Sequence, residues 1–399
     1  MDRMEDIVAR LLAVGPRPGG SDAERRAARE LQRTLLDGGR EAALQTVWVR
    51  PAWAATHALH AVLGALGSVL AVLVPVAGAA VLGVTLLSLL LELAGWGWLA
   101  RRLTPERASQ NVVSPPPTSA PFRLLVTAHY DAGRSGFVYA ERLQRLGGRA
   151  RRWTRGHVPG PFGWLTLALF AALGCAAARI VGATGFGVGL VQLLPTVALV
   201  LAAAAGVDLA LSDAGPGASE NAAGVAVALA LTAALDAEPP RSLAVELVLA
   251  GAGDGTGAGL SAHLRGRPDA LDPARTIVLG LRACGVGSPA WLSHEGTVIA
   301  LPTHRQLAAA CARAAGAEAH LDARPVRSHA LSPLAPARRA RLPAVTVGAR
   351  DGLGRAPHAR TREDTPARVD PEAMAATLEY CLALVDALDA ELGRQERPS

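Results

Sequence analysis

The sequence predicts an α/β domain, with helices packed around a mostly parallel mixed sheet, into which two transmembrane helical hairpins are inserted. Three observations carry this expectation. Short apolar runs of strand length alternate with helical patterns through the polar parts of the chain. Two pairs of long, predominantly apolar runs interrupt them, each run long enough to cross a bilayer. Residues 123–133, RLLVTAHYDAG, read as a strand buried on both faces that ends in His129-Tyr130-Asp131. An imidazole and a carboxylate two residues apart then leave the carboxyl end of the strand together. Open α/β sheets bind ligands at that edge, and both groups suit zinc.

In order, Ile7, Val8, Leu11 and Leu12 recur at helical spacing and the helix stops at Gly15-Pro16. Ser21 to Glu24 is a capping box opening a second helix, closed by Gly38-Gly39. A strand follows over 44–49. Residues 58–74 and 76–91 carry no charge, and Pro75 and Gly78 mark a tight turn between them. Trp53, Trp96 and Trp98 fall at one end of this hairpin, as an aromatic belt would. The alternative is a helical hairpin buried in a large core. Residues 162–178 and 186–211 form the second hairpin, weakened slightly by Gln192 and Pro195. Beyond it, 225–235 is a helix, 243–250 and 276–281 are strands, 307–315 a helix, 343–347 a last strand, and 372–392 a closing amphipathic helix. The domain plan is therefore 1–52, 101–160 and 212–399 for the polar domain, with hairpins at 53–100 and 161–211.

Composition agrees with a membrane protein. Half of the 399 residues are hydrophobic and only 4% are aromatic. Every basic residue is Arg, and the formal charge is +6. Such a charge can point to nucleic acid, but these arginines sit beside the apolar spans, so the bilayer is the expected partner and nucleic acid is not. Arg101, Arg102, Arg107 and the cluster from Arg142 to Arg155 lie on the side of the polar domain, whereas the opposite turns carry only Arg179. The positive-inside rule therefore predicts a multi-pass protein of the cell membrane with its polar domain in the cytoplasm. Cys175, Cys284, Cys311 and Cys381 have no metal-knot spacing and fit a reducing compartment. The N-terminus is too polar for a signal peptide.

The landmarks come in a telling order: HYDAG; PGASENAAG opening a helix; LAGAGDGTGAGLSAHL; LRACGVG; then LPAVTVGA followed by PHARTREDTPARVDPEAM. This resembles the zinc aminopeptidase and glutamate carboxypeptidase family, typified by bacterial leucyl aminopeptidases. The resemblance implies a zinc-exopeptidase-like sandwich and two metals held by histidines and carboxylates, with a glutamate base activating the bridging water. By the same resemblance His129 matches a histidine ligand, and Asp131 the carboxylate that orients it. Glu220 falls at the metal-bridging position, with Ser219 replacing an acidic neighbour. Asp254 falls at a ligand position, and His358 at the late histidine with Asp364-Thr365 behind it.

Two positions depart from the pattern. Gly253 stands where the family has its base, and Arg282 where it has a ligand carboxylate. A guanidinium opposes a divalent cation in a low-dielectric site, and glycine abstracts no proton. The expected reading is a degenerate member that binds or scaffolds, holding at most one zinc through His129, Glu220, Asp254 and His358, or none if Arg282 pairs with a carboxylate. A peptide or protein in the cleft is the expected ligand. On this reading Gly253→Glu alone restores nothing, and the reversion to test is Gly253→Glu with Arg282→Asp. The alternatives are an active zinc-dependent aminopeptidase or related amide hydrolase with a non-standard site, and a small transporter regulated by its polar domain. Ser328-His329 and His294-Glu295 are weaker cleft candidates, as surface and hairpin-edge positions explain them equally well. The 255–259 glycine loop lacks the Lys-Ser/Thr of a phosphate-binding loop.

Overall fold

The computed structural model describes residues 3–96, 99–154, 156–255, 257–267, 271–330 and 332–395. Helices α1 (Met4–Ala13) and α2 (Asp22–Asp37) lead into β1 (Ala43–Val49). The first hairpin is α3 (Trp53–Leu73) and α4 (Pro75–Ala94). Strands β2 (Arg107–Ser114) and β3 (Phe122–His129) precede α5 (Glu141–Trp153) and the second hairpin, α6 (Pro161–Ile180) and α7 (Phe186–Leu211). The rest runs α8 (Ala223–Ala237), β4 (Leu243–Ala250), α9 (Ala258–Gly266), β5 (Thr276–Leu281), β6 (Ser288–Glu295) and β7 (Leu301–Pro302). It ends with α10 (Arg305–Ala317), β8 (Arg324–Ser328), α11 (Ala335–Arg339), β9 (Ala344–Arg350) and α12 (Pro371–Gln395).

The strands form one mixed sheet in the order β1-β2-β4-β3-β5-β9-β6-β7, with β8 beside β6. Its centre, β4-β3-β5-β9, is parallel. Alternate residues of β3 explain why the run is continuously apolar. Leu124, Val126 and Ala128 pack with α1, α2, α8 and α12, whereas Leu125 packs with Leu260 of α9 and Ala337 of α11. Register then fixes the site. His129 pairs level with Ala250, and Ala128 with Leu281, so the chain leaves β3, β4 and β5 at one edge.

The four long helices of the hairpins form a bundle with its own core around Leu82, Leu89, Leu169 and Leu199. Small residues bring the helices close, as they do in membrane bundles. The turn of the first hairpin is Val74-Pro75, with Pro75 in the first turn of α4. Gly78, expected at that turn, lies inside α4 instead. A Cβ there would fall 2.4 Å from the backbone of Ala71, so this glycine sets the α3–α4 crossing. Outward-facing Leu66, Leu73, Val84, Leu194 and Leu201 are exposed. By length and composition five helical segments could cross a membrane, but the fifth, Ala218–Ala237, is almost wholly buried in the α/β domain.

The sequence pattern passed over β2, α5, α9, α11 and β6–β8. Strand β2 is polar because its side chains are spent on buried partners: Ser109 Oγ donates to Glu24 at 2.9 Å and Asn111 Nδ2 to Gly259 O at 3.0 Å. Helix α5 hid behind its arginines. His294 and Glu295 do form a hairpin edge, pairing with β7. Trp96 is exposed, while Trp53 is 5% exposed and belongs to the site rather than to an aromatic belt. Trp98, Arg155 and Thr256 lie outside the described residues.

Candidate functional site

The site is built on two pinned turns. The HYD turn after β3 is held by Arg17, whose Nε donates to Tyr130 O at 3.0 Å. Asp131 turns inward, and its carboxylate accepts the Gly253 N–H at 2.7 Å and the Asp254 N–H at 3.0 Å. From the other side Glu24 accepts the Ala252 N–H at 2.7 Å. The loop after β4 is thus drawn down by two carboxylates until its backbone meets His129. A Cβ on Gly253 would lie 2.2 Å from the Cβ of His129, a separation that real side chains do not adopt.

Glu220 is placed by a similar device. Asp364 accepts the N–H groups of Ser219 and Glu220 at 2.6 and 3.1 Å, fixing the π-helical turn that precedes α8. Burial, together with the nearby Glu220 charge, outweighs those bonds and pushes Asp364 up to about 7.

Four groups then meet at the sheet edge, and they neutralise one another. Arg282 points inward, its Nη2 2.6 Å from Glu220 Oε1. Arg360 reaches the same oxygen with Nε at 3.2 Å and pairs through Nη2 with Asp254. Trp53, the first residue of α3, donates its indole N–H to Asp254 Oδ2 at 3.0 Å. The Arg360 guanidinium lies 5.3 Å from the Trp53 ring and 5.1 Å from that of Tyr139, within the range of cation–π attraction. Burial alone would raise the Glu220 carboxyl, but Arg360 and then Arg282 outweigh it and hold the group down near about 2. So deep an acid is a poor proton acceptor at neutral pH.

Of the expected ligands, His129 keeps its orienting pair, Nδ1 to Asp131 Oδ1 at 3.2 Å, and its Nε2 has no hydrogen-bond partner. Glu220 and Asp254 are brought together, but through Arg360. His358 is half-buried, with Nδ1 3.7 Å from Glu363. Among the described residues, the one set of three His, Cys, Asp or Glu ligand atoms within 4.8 Å of one another is Glu318, His320 and Glu379. No three of the four candidates meet that distance. The donors as arranged do not fit a zinc ion, because each carboxylate already bears a guanidinium. Arg282→Asp would leave Arg360 in place, and a Cβ at position 253 would meet that of His129, so both contacts stand against the double reversion.

Arg360, Trp53 and Tyr139 were not legible as site residues. The signal for Arg360 was charge balance. Two carboxylates at a buried edge with one arginine leave a net negative charge, and a second cation stands two residues after His358. Ser328 closes β8, and His329 Nε2 bonds Gly156 O at 2.9 Å on the cleft wall.

Solved structures sharing this fold include Porphyromonas gingivalis glutaminyl cyclase, 12% identical with a TM-score of 0.56, covering 97% of this chain and 98% of that one. A zinc aminopeptidase from Bacillus subtilis matches at 12% identity and TM-score 0.56, over 96% and 94% of the two chains. Bacteroides thetaiotaomicron glutaminyl cyclase bound to N-acetylhistamine matches at 12% identity and TM-score 0.57, over 96% of each. The fold is therefore zinc-exopeptidase-like. No protein-family model and no curated protein sequence matches the chain.

Proposed function

We propose that this is an integral membrane protein whose zinc-exopeptidase-like domain binds a ligand and does not hydrolyse peptides. The observation that carries it is Arg360 lying between Glu220 and Asp254, where a metal would need both carboxylates. Gly253 supplies no base, and Glu220 is too strong an acid to replace one. The competing reading, an active metallo-hydrolase, draws support from the unpartnered Nε2 of His129 and Nδ1 of His358. Metal analysis of the full chain purified in detergent decides between them. Zinc well below one equivalent and background turnover of aminoacyl anilides are expected. Two zinc ions per chain with chelator-sensitive turnover would overturn the proposal.

The bundle supports membrane insertion by its apolar exterior and by the pairing of polar groups inside it. Gln192 donates to Ser68 O at 2.6 Å and accepts from Arg179 at 2.6 Å. Glu92 accepts from Arg101 at 2.6 Å, and Asp208 from the Phe137 N–H at 2.8 Å. These contacts serve packing, which also speaks against a transporter. With the arginines flanking the polar domain, the domain faces the cytoplasm in this proposal. Reporters fused after Glu106 and at the C-terminus should behave as cytoplasmic, and one in the 180–185 turn as external. An external signal from the C-terminal fusion would reverse the topology.

A further inference from the structure

The cleft beyond the neutralised centre is open to solvent, spans about 1410 Å³ with its solvent-filled mouth included, and has an unusually basic wall. Among the described residues, Glu220 is the single carboxylate lining it, against Arg151, Arg282, Arg327, Arg350, Arg355 and Arg360. Three of these are accounted for. Arg282 and Arg360 share Glu220, and Arg355 bonds Asp351 and Glu141 at 2.7 and 3.0 Å. Among the described residues, no carboxylate lies within ion-pair distance of Arg151, Arg327 or Arg350.

The three unpaired arginines come from α5, β8 and β9, so they face the cleft from separate elements. Arg350 donates only to the carbonyls of Ala349 and Ala283, at 2.7 and 3.4 Å. Burial and the neighbouring Arg282 draw it down to about 10, which leaves it cationic at neutral pH. Arg327 meets only the ring nitrogen of His294, at 3.2 Å. Arg360 leaves its Nη1 with no hydrogen-bond partner although the residue is 7% exposed. Like charges gathered in a partly desolvated cleft repel one another, and part-buried guanidiniums are expected to be paired. The missing partner is an anion.

We propose that this cleft is a binding site for a phosphate ester. The guanidinium fork matches phosphate oxygens two at a time, and cations converging from three elements suit a group with several charged oxygens better than one planar carboxylate. The inference deepens the reading of the domain as a binding module. One wall is formed by Pro161 and Trp164 at the start of α6, and Leu143 adds further apolar surface. Trp164 is 57% exposed. An acyl chain attached to the phosphate would have α6 to lie along, so a phospholipid and a soluble phosphate ester are the two sources.

The test uses the full chain in a neutral detergent, titrated calorimetrically with dioctanoyl phosphatidate in one arm and glycerol 3-phosphate in the other. Saturable binding with one ligand per chain is expected in at least one arm. Tighter binding of phosphatidate assigns the lipid source, and equal binding assigns the soluble one. Arg350→Gln should weaken the bound species by roughly ten- to a hundredfold, the loss of one charge-assisted pair. Because Arg350 also bonds backbone, Arg151→Gln with Arg327→Gln provides an independent variant on other elements, with the same expectation. Arg33→Gln on α2 should bind as the parent does. Absence of binding in both arms, or affinity indifferent to both sets of cleft variants, overturns the proposal. Zinc content and peptidase turnover, read on the same preparation, report separately on the absence of hydrolysis.

Discussion

Arg360→Met should lower the stability of the full chain by roughly 3–5 kcal/mol, the cost of stranding one partner of a buried ion pair. The guanidinium pairs with both Asp254 and Glu220 at the floor of the cleft, where Glu220 is buried and the Asp254 side chain is 11% exposed. Arg282 still faces Glu220, but Asp254 keeps only the Trp53 N–H. An apparent melting temperature lower by about 4–6 °C is the expected reading in detergent. Metal sensitivity separates this account from simple loss of packing. The wild-type melt should ignore both added zinc and chelator. The Arg282→Ala, Arg360→Ala double variant exposes Glu220 and Asp254 to a cation beside the unpartnered His129 Nε2, and zinc should recover part of its loss, about 2.7 kcal/mol at a hundredfold excess over Kd. A wild-type protein that melts higher with zinc and lower with chelator would show that arginines do not fill this centre.

The fold was legible because its signals are local. A buried parallel strand needs an apolar run, a bundle helix needs about twenty predominantly apolar residues, and Ser21 and Glu24 mark a helix start. Four of the five landmarks follow strands β3, β4, β5 and β9 at one edge of the sheet, and the fifth, around Glu220, is the turn that opens α8 and is placed by Asp364. What stayed hidden depends on partners distant in sequence. Strand β2 has no apolar pattern because Glu24 and α9 satisfy its polar side chains from above and below. Gly78 resembles a turn residue until α3 is packed against it. Trp53 has the composition of a lipid-facing anchor, yet its N–H is taken by a carboxylate two hundred residues on. Arg282 was legible as a departure, and its pairing with Glu220 follows from charge. Arg360 was not, since it lies two residues beyond the histidine that the resemblance singles out and reaches the site through a backbone φ of 60°.

Gly253→Ala should be strongly destabilising. The new carbon would stand 2.2 Å from the Cβ and 2.8 Å from the Cγ of His129, and neither side can yield cheaply. The loop is tied down by Asp131 and Glu24, and His129 is the last residue of a central strand. Overpacking in a closed core typically costs 1–3 kcal/mol, and a rigid backbone on both sides places this substitution at the upper end, about 3 kcal/mol. Gly174→Ala in α6 provides the contrast, because nothing lies within 4 Å of its added methyl. There the helix gains propensity, so a change of zero to about +1 kcal/mol is expected. Paired thermal melts of the two variants read the difference. The same contact governs any attempt to rebuild a peptidase: Gly253→Glu carries the clash of alanine plus a buried carboxylate, so Gly253→Glu with Arg282→Asp should yield less folded protein and no turnover. Recovery of aminopeptidase activity in that double variant would mean that the loop after β4 can withdraw from His129, and that Arg360 can leave Glu220 and Asp254 once its companion is gone.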